Sequence, residues 1–490
     1  MSASVVPIVA ASSAAFFASY AIPFVIAIGH GEHRVASGLF LIGAVGGFFA
    51  MTVRAAVAGR RFGARRNDRF LALVLVWLSG VTACALPFLI IAEMSWSHAL
   101  FEAASGLTTT GASTIPAGAQ MPVSLIIWRS QLEWMGGYLT LAGIAFVMSR
   151  RAGDSHDGSV ALATSELGQR HSTPARWSHR ELLVRYVSVS LVVYILLLAS
   201  GASALDSLIL TSTGIGTGGY IPWAEPLGER FDVATLAVLA ITLAIGATSL
   251  FWTYMSVSTF WQRLGGNIEA RWVLATMVVL GLAYGWLLAD AGGRTDVASL
   301  LAALGEGLFA AVSLVSTTAI ETRPGVIGLL PEIFVLTVVL FGASAFATSG
   351  GLKLVRLGAL VVHVRRELRL LIYPSSISGS GIAGIRYTPE DIRIIWVPFL
   401  LFLAAGSATI FTMTVATGHF ESNVVAAFAL LANTGGLLPA LAPAGVTQAW
   451  PLWQDLNAFE HVLCAFVMLL GRLEFLAIFA ALNLRYWLGR

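Results

Sequence analysis

Residues 105–114 read SGLTTTGAST, a run rich in Thr and Gly. Three further clusters of the same character follow along the chain. They read TSTGIGTGGY at 211–220, LVSTTAIETRPG at 314–325 and LANTGGLLPA at 431–440. Gly allows extended or left-handed backbone, and Thr adds a side-chain oxygen beside the backbone carbonyls. Each cluster is therefore predicted to be an irregular loop.

The four clusters recur at a nearly constant period. With Gly111, Gly218, Ala319 and Gly435 taken as equivalent points, the spacings are 107, 101 and 116 residues. A feature that returns at one period indicates internal repetition, here four repeats of about 100 residues. An apolar or amphipathic stretch of helical length precedes each cluster. These stretches are Ser97–Leu107, Ala202–Leu210, Ser299–Leu314 and Glu421–Leu431.

The composition requires a membrane environment. The 490 residues are 57% apolar and 11% charged, with a mean hydropathy of +0.81, whereas a soluble domain carries about 25% charged residues. A soluble enzyme and a disordered chain are therefore excluded. We predict an all-α polytopic membrane protein with about ten transmembrane helices and four short pore helices, built from four pseudo-symmetric helix–pore-loop–helix repeats around one pore. The candidate spans are 11–28, 36–53, 70–92, 123–148, 186–201, 233–260, 272–289, 327–352, 394–415 and 456–484.

The basic residues predict the orientation. With the N-terminus in the cytoplasm, 23 of the 29 Lys and Arg residues lie in inside segments and 4 in outside segments, while Arg129 and Arg472 lie within spans. The positive-inside rule then places both termini in the cytoplasm. The two cysteines, Cys84 and Cys464, lie in apolar runs, which argues against a disulfide framework. The first apolar run has no basic region before it and is predicted to be a retained helix.

The repeats divide the chain into five predicted segments. Residues 1–69 hold two extra transmembrane helices and a basic cytoplasmic loop, and residues 70–180, 181–270, 271–390 and 391–490 hold repeats 1 to 4. In these repeats the filter residues are predicted near Gly111, Gly218, Ala319 and Gly435.

Four irregular loops at membrane depth predict a pore. A non-helical loop in a bilayer must be buried in protein or line a watery cavity. Four such loops around one axis would form rings of oxygen that replace the hydration shell of a cation. The short helices would direct their partially negative C-terminal ends toward it. No ring of basic residues accompanies the loops, so nothing favours an anion. The predicted ion-binding residues are Thr109, Thr110, Gly111, Thr217, Gly218, Thr317, Thr318, Ala319, Asn433, Thr434 and Gly435.

Six stretches of the chain resemble the TrkH/KtrB/HKT superfamily of potassium transporters, and within it the TrkH-like subunits. Three of them cover filter loops, one the helix after the first filter, one a Gly-rich break and one the last helix. They are FEAASGLTTTGAS (101–113), WRSQLEWMGG (128–137), STGIGTGGY (212–220), GASAFATSGGLKLVR (342–356), NTGG (433–436) and MLLGRLEFLAIFAALNLRYW (468–487).

The resemblance implies a function and partners. It implies potassium as the transported ion, no covalently bound cofactor and a multi-pass location in a bacterial inner membrane. It further implies a homodimer with one pore in each protomer and a cytosolic, TrkA-like regulatory subunit with nucleotide-binding RCK domains. Nucleic acid is not expected as a partner.

The resemblance also assigns a gate beneath the filter. It makes residues 342–351 an intramembrane gate loop, in which Gly342, Gly350 and Gly351 remain glycine. Arg472 resembles the family arginine that projects into the pore below the filter, where its charge would repel potassium. The alternative for Arg472 is an ion pair with Glu474 or with a carboxylate of another helix.

The chain departs from the family pattern at two positions. Ala319 stands where the third filter should have Gly, and its methyl group resists positive φ. Relaxed selectivity toward sodium, or slow conduction, is the expectation. Phe346 stands in the gate loop, where it either narrows the pore or faces neighbouring helices. Both departures support a second hypothesis, a poorly conducting regulatory paralogue of a Trk-type transporter. A membrane-embedded enzyme is a third, and no G-x-S-x-G or H-E-x-x-H motif supports it.

Other ionisable residues at membrane depth need partners. Arg129 and Glu133 are four residues apart on one predicted helix, which favours an intrahelical pair. Lys353 either extends its side chain to the interface or contacts the pore mouth. His30, Glu32 and His33, in a short outside loop, could suggest a metal site but are predicted to lie in solvent.

Overall fold

The computed structural model describes residues 5–58, 66–148, 179–249, 252, 267–293, 296–373, 381–382, 385–386, 389–443 and 450–473. These residues are helical apart from loops and one two-residue hairpin, in which β1 (Gly381–Ile382) pairs antiparallel with β2 (Ile385–Arg386). The predicted all-α fold class is confirmed.

The first predicted span is interrupted where a proline removes a hydrogen bond. Residues 11–28 were expected to form one helix, but α1 (Val6–Ala18) ends before α2 (Ala21–Gly29) begins. Pro23 has no N–H to donate to the carbonyl of Ser19, and the side chain of Gln131 donates to that carbonyl instead, at 2.8 Å. Helix α3 (His33–Ala56) completes this N-terminal pair of spans.

Each repeat contains a long helix, a pore helix and at least one further helix after the Thr/Gly loop. Among the described residues, the second span is a long helix only in repeat 1, with 26 residues, and the corresponding helices of repeats 2, 3 and 4 have 15, 10 and 15 residues. The helices of repeat 1 are α4 (Arg66–Ile90), α5 (Trp96–Leu107) and α6 (Val123–Met148). Those of repeat 2 are α7 (His179–Ala199), α8 (Ala204–Gly216), α9 (Leu227–Arg230) and α10 (Val233–Ala247). Those of repeat 3 are α11 (Ile268–Ala291), α12 (Val297–Val315), α13 (Glu332–Phe341) and α14 (Leu354–Ile372). Those of repeat 4 are α15 (Pro389–Thr417), α16 (Phe420–Leu431), α17 (Leu437–Leu441) and α18 (Ala458–Arg472).

Seven helical segments of the described chain are long and apolar enough to cross a membrane. Six of them coincide with predicted spans, and the seventh is the short helix α12. The other four predicted spans begin with α6, α10, α13 and α18, of which three are helices of 10 to 15 residues. The ends predicted for the spans 233–260 and 456–484 lie outside the described residues.

The second span of repeat 3 is not the continuous helix expected over 327–352. Its helix α13 has ten residues and ends at Phe341. Residues 342–353 then run without helix until α14 begins at Leu354. Much of the basic inside segment predicted over 353–393 is therefore helical. The break falls on the Gly-rich stretch that the sequence singled out.

The short helices α5, α8, α12 and α16, here called pore helices, form the centre of the molecule. Most residues in their last two turns are buried. Three of them begin at a side-chain cap that accepts a backbone N–H, which satisfies one of the free donors at a helix start. The caps are Ser95, Ser203 and Asp296.

Glu32 does not lie free in solvent as predicted. Its carboxylate accepts hydrogen bonds from the backbone N–H groups of Val123 and Ser124, at 2.6 and 3.2 Å. These groups stand at the start of α6, where the helix dipole favours negative charge. The loop after α2 is thereby tied to the first repeat.

Candidate ion pathway

All four pore helices end in the same left-handed turn. In every repeat, one residue just after the end of the pore helix has φ between +54° and +61°. In each case the next N–H bonds to the carbonyl five residues earlier, at 2.7 to 3.0 Å. This is a Schellman motif, which usually has Gly at the left-handed position. The residues at that position are Thr109, Thr217, Thr317 and Asn433.

A positive φ at three Thr residues stores strain. A β-branched side chain in the left-handed region is a backbone outlier, and such outliers are found where the surrounding structure enforces them, often at functional sites. The same conformation recurs in the fourth loop, where Asn433 takes the place of Thr. The Thr/Gly composition had indicated irregular loops but not this shared conformation.

The hydrogen bonds correct the alignment of the second loop by one residue. The N–H of Gly218 bonds to the Thr213 carbonyl, just as the N–H of Thr110 bonds to the Ser105 carbonyl. Gly218 is therefore equivalent to Thr110, and Gly219, not Gly218 as predicted, is equivalent to Gly111. Consecutive glycines made both alignments consistent with the composition. The residues equivalent to Gly111 are Gly219, Ala319 and Gly435, and φ is positive at the first two of these and at Gly111 itself.

The four loops contact one another in a closed ring. The N–H of Gly435 in loop 4 donates to the carbonyl of Thr110 in loop 1, at 2.5 Å. At the other junctions a methyl group in place of a glycine hydrogen would overlap backbone of the next loop. These contacts join Gly111 to Gly218, Gly219 to Thr318, and Gly436 to Ala319. The loops that the sequence placed in one ring are thus brought together.

The side-chain oxygens at the left-handed positions differ in their partners. Thr317 Oγ1 accepts the N–H of Gly350 at 2.8 Å, and Thr217 Oγ1 donates to the carbonyl of Gly216 at 2.7 Å. Within the described part of the chain, Thr109 Oγ1 and Asn433 Oδ1 are buried without a hydrogen-bond partner. Buried oxygen atoms without a hydrogen-bond partner are suitable ligands for a dehydrated cation.

A buried arginine holds the first two loops from outside the ring. The Arg129 side chain is 1% exposed and lies 2.8 Å from the Glu102 carboxylate and 3.3 Å from that of Glu133. It also donates to the Ser105 hydroxyl and the Ala112 carbonyl, each at 3.0 Å. The predicted pair with Glu133 is confirmed, but the shorter contact is to Glu102, on the preceding pore helix.

The carboxylates of Glu102 and Glu133 link Arg129 to loops 1 and 2 through further hydrogen bonds. Glu102 accepts the N–H and the hydroxyl of Thr114 at 2.6 and 2.9 Å. Glu133 accepts the N–H of Tyr220, in loop 2, at 3.2 Å. Glu102 was not predicted from the sequence as a partner of Arg129. It lies in the quoted stretch FEAASGLTTTGAS, and a charge in the middle of an apolar pore helix was the available signal.

The break in repeat 3 lies against the end of α10 and against the ends of two pore helices, α12 and α16. The N–H groups of Ser344 and Thr348 donate to the carbonyls of Ala247 and Gly246, each at 3.1 Å. A methyl group on Gly350 would overlap the Ala432 carbonyl oxygen, at the end of α16. Gly342 is similarly close to the Val315 carbonyl, and Gly351 has φ +77°. Phe346 is 8% exposed and belongs to the same buried apolar cluster as Tyr186 and Trp252.

Two cations predicted near the gate hold this break. Arg472 donates to the Thr348 carbonyl and, at 2.7 Å, to the Thr140 hydroxyl. Lys353 is buried, and its ammonium donates to the carbonyls of Ser349 and Gly350 at 2.5 and 3.2 Å. Lys353 therefore does not extend to the interface. Glu474, the alternative partner of Arg472, lies outside the described residues.

Known proteins that this chain resembles are described as cation or potassium transport proteins. Residues 46–260 match the family model TrkH, described as a cation transport protein. The chain is 27% identical over 355 residues to an uncharacterized cation transporter of Methanocaldococcus jannaschii, covering 70% of this chain and 69% of that protein. It is 24% identical over 450 residues to the Trk system potassium uptake protein TrkH of Halomonas elongata, covering 86% of each chain.

A solved structure establishes the fold over almost the full length. The crystal structure of the potassium transporter TrkH from Vibrio parahaemolyticus superposes with a TM-score of 0.83 at 22% identity, covering 99% of both chains. The protein is thus a multi-pass membrane protein of the cation transport class. Within that class, the match to the TrkH family model, the Trk relatives and the shared fold confirm the TrkH-like resemblance noted in the sequence.

Proposed function

We propose that this protein takes up potassium across a bacterial inner membrane, through the ring of four loops that follow the pore helices. The observation that carries the proposal is the closed ring of buried loops in one backbone conformation, lined by hydroxyl, amide and backbone groups and by no charged residue among the predicted filter positions. Relatives that are about 25% identical are named potassium uptake proteins. The proposed ion-binding residues are those predicted from the sequence, with Gly219 added.

The same proposal includes the arrangement in the cell. Both termini lie in the cytoplasm, the protein is a homodimer, and a cytosolic RCK-type subunit regulates it. In this proposal the four repeats have the boundaries predicted from the sequence, and residues 342–351 act as the gate. Gly350, in this gate, donates its N–H to Oγ1 of the filter residue Thr317. A movement of the break would therefore change the position of Thr317 or break this hydrogen bond.

Ala319 gives the most direct test of the proposal. Its φ is +50°, in the region where an L-residue other than Gly is disfavoured by about 1–2 kcal/mol. We expect Ala319→Gly to relieve this strain, to raise the rate of rubidium uptake and to reduce its inhibition by sodium. The measurement is rubidium uptake and potassium-limited growth in cells without their own potassium uptake systems.

The same experiment separates the proposal from its rival. Wild-type protein that supports uptake identifies a transporter, and the sodium inhibition then reports what Ala319 does to selectivity. If the wild-type protein is inserted normally and silent, while Ala319→Gly conducts, the regulatory paralogue is the better description. Gly325→Ala is a control for a Gly/Ala exchange at positive φ away from the loop contacts, because Gly325 has φ +86° and no atom lies near the added methyl group.

A further inference from the structure

Three of the four pore helices clamp their own loop with a hydroxyl group. The residue four positions before the left-handed turn reaches the backbone seven residues further on. Ser105 Oγ donates to the Ala112 carbonyl at 2.5 Å, and Thr213 Oγ1 donates to the Tyr220 carbonyl at 3.2 Å. Ser313 Oγ accepts the N–H of Ile320 at 2.6 Å. Each clamp closes the loop onto the helix that precedes it.

The fourth pore helix has no such hydroxyl. Ala429 occupies the equivalent position, and it is fully buried. The loop is held instead from outside its repeat's pore helix: the indole N–H of Trp453 donates to the Gly435 carbonyl at 3.0 Å. Gly435 is a predicted filter residue, so this hydrogen bond ends on the ion-binding ring itself.

Trp453 is in turn fixed on two sides. Its backbone carbonyl accepts the Nε2–H of His461 at 2.9 Å. The Phe101 ring, on pore helix 1, lies 6.0 Å from its ring and 5.3 Å from that of His461. Trp453 is 4% exposed and His461 1%. An indole this constrained can hold a carbonyl at a defined place, because little freedom remains for the donor to move.

We infer that Trp453 is a positioning residue for the filter, which replaces the missing hydroxyl clamp of repeat 4 and sets discrimination between potassium and sodium. The inference rests on the proposed function. Selectivity by a ring of oxygens depends on their number and placement. Without the hydrogen bond from Trp453, the Gly435 carbonyl could move toward the pore axis. The ring would then bind the smaller sodium ion more tightly relative to potassium.

The test compares Trp453→Phe with Trp450→Phe. Trp453→Phe keeps a ring against Phe101 and loses only the N–H donor. Trp450 is a buried tryptophan of the same segment, 8% exposed, and its indole makes no hydrogen bond among the described residues. Rubidium uptake is measured against increasing sodium in cells without their own potassium uptake systems. We expect Trp453→Phe to raise the KM for rubidium and the sensitivity to sodium by about three- to tenfold, as for one lost hydrogen bond, and Trp450→Phe to change neither.

A second substitution restores a clamp by the route of the other repeats. Ala429→Ser places a hydroxyl at the position equivalent to Ser105, Thr213 and Ser313, seven residues before Gly436. In the Trp453→Phe background it should recover at least part of the selectivity without changing the amount of protein in the membrane. Failure of this rescue would overturn the equivalence of tether and clamp. Equal sensitivity to sodium in Trp453→Phe and wild type, or equal losses in the two Trp variants, would overturn the role of Trp453.

The wild-type arm distinguishes this inference from the proposed function. If wild-type protein takes up no rubidium, the proposed function fails whatever the variants do. If it does take up rubidium, and sodium inhibits this uptake equally in the wild type and in Trp453→Phe, only the role of Trp453 fails.

Discussion

Arg129→Gln is expected to remove most of the folded protein from the membrane and with it most of the uptake. Two carboxylates that are 0% exposed, those of Glu102 and Glu133, would lose their only nearby cation among the described ion pairs. Breaking a buried ion pair from one side destabilises a protein by about 3–5 kcal/mol, because the remaining charge stays buried without compensation. The measurement is the apparent melting temperature of the purified protein in detergent, together with its yield.

The matched control is Arg230→Gln. Arg230 also lies near two carboxylates, those of Asp206 and Glu225, but its side chain is 30% exposed. Water and salt screen such a pair, which is worth about 0–1 kcal/mol, so the melting temperature should barely change. Arg129→Lys should lie between the two, because a lysine keeps the charge but cannot donate in the four directions that Arg129 uses. Equal melting temperatures for Arg129→Gln and Arg230→Gln would show that the buried network does not hold the fold.

Gly111→Ala is expected to lower rubidium uptake by at least about tenfold. Gly111 has φ +76°, and a methyl group there would overlap the Gly218 carbonyl of the neighbouring loop. The left-handed backbone disfavours Ala by about 1–2 kcal/mol, and overpacking adds about 1–3 kcal/mol. Since the clash falls on the contact between loops 1 and 2, the ring cannot keep its spacing.

Gly325→Ala separates the two causes of this loss. Gly325 has a similar φ of +86°, with no atom near the added methyl group, so the substitution brings the strain without the clash. We expect it to retain uptake at a modestly lower stability. The prediction for Gly111 fails if Gly111→Ala transports rubidium as Gly325→Ala does. Ala319 shows that one loop accommodates a methyl group at this position, and the test asks whether loop 1 can.

The pore helices were predictable because their signal is local. An apolar stretch of helical length, followed at once by Thr and Gly, recurred at one period, and three of the four helices begin and end within two residues of the prediction. The exception is α8, which continues past Leu210 to Gly216, so the first six residues of the second Thr/Gly cluster are helical. The break in repeat 3 was predicted only through the family resemblance, since hydropathy alone indicated one span over 327–352, although Gly342, Gly350 and Gly351 are a local signal for it. Pro23 was a local signal too, and the interruption between α1 and α2 could have been predicted from it.

The support of the loops was not predictable in the same way. Arg129 and Glu133 were paired because they are neighbours on one helix, whereas the contact with Glu102 depends on how α5 lies against α6. The alignment of loop 2 could not be chosen between Gly218 and Gly219 from composition, because only the hydrogen bonds to the pore helix distinguish them. The tether from Trp453 to Gly435 joins two segments that have no sequence signal in common.

The sequence by itself determined the class of protein, the number of repeats and the chemistry of the loops. Hydropathy, the positive-inside bias and the Thr/Gly clusters act over a turn or a span, so they can be evaluated without knowing what lies opposite. Tertiary structure alone decided the closed ring, the alignment of its members and the residues that hold it. The physical reason is that a pore is made of backbone groups from four distant segments, and their positions depend on close packing and buried hydrogen bonds between those segments.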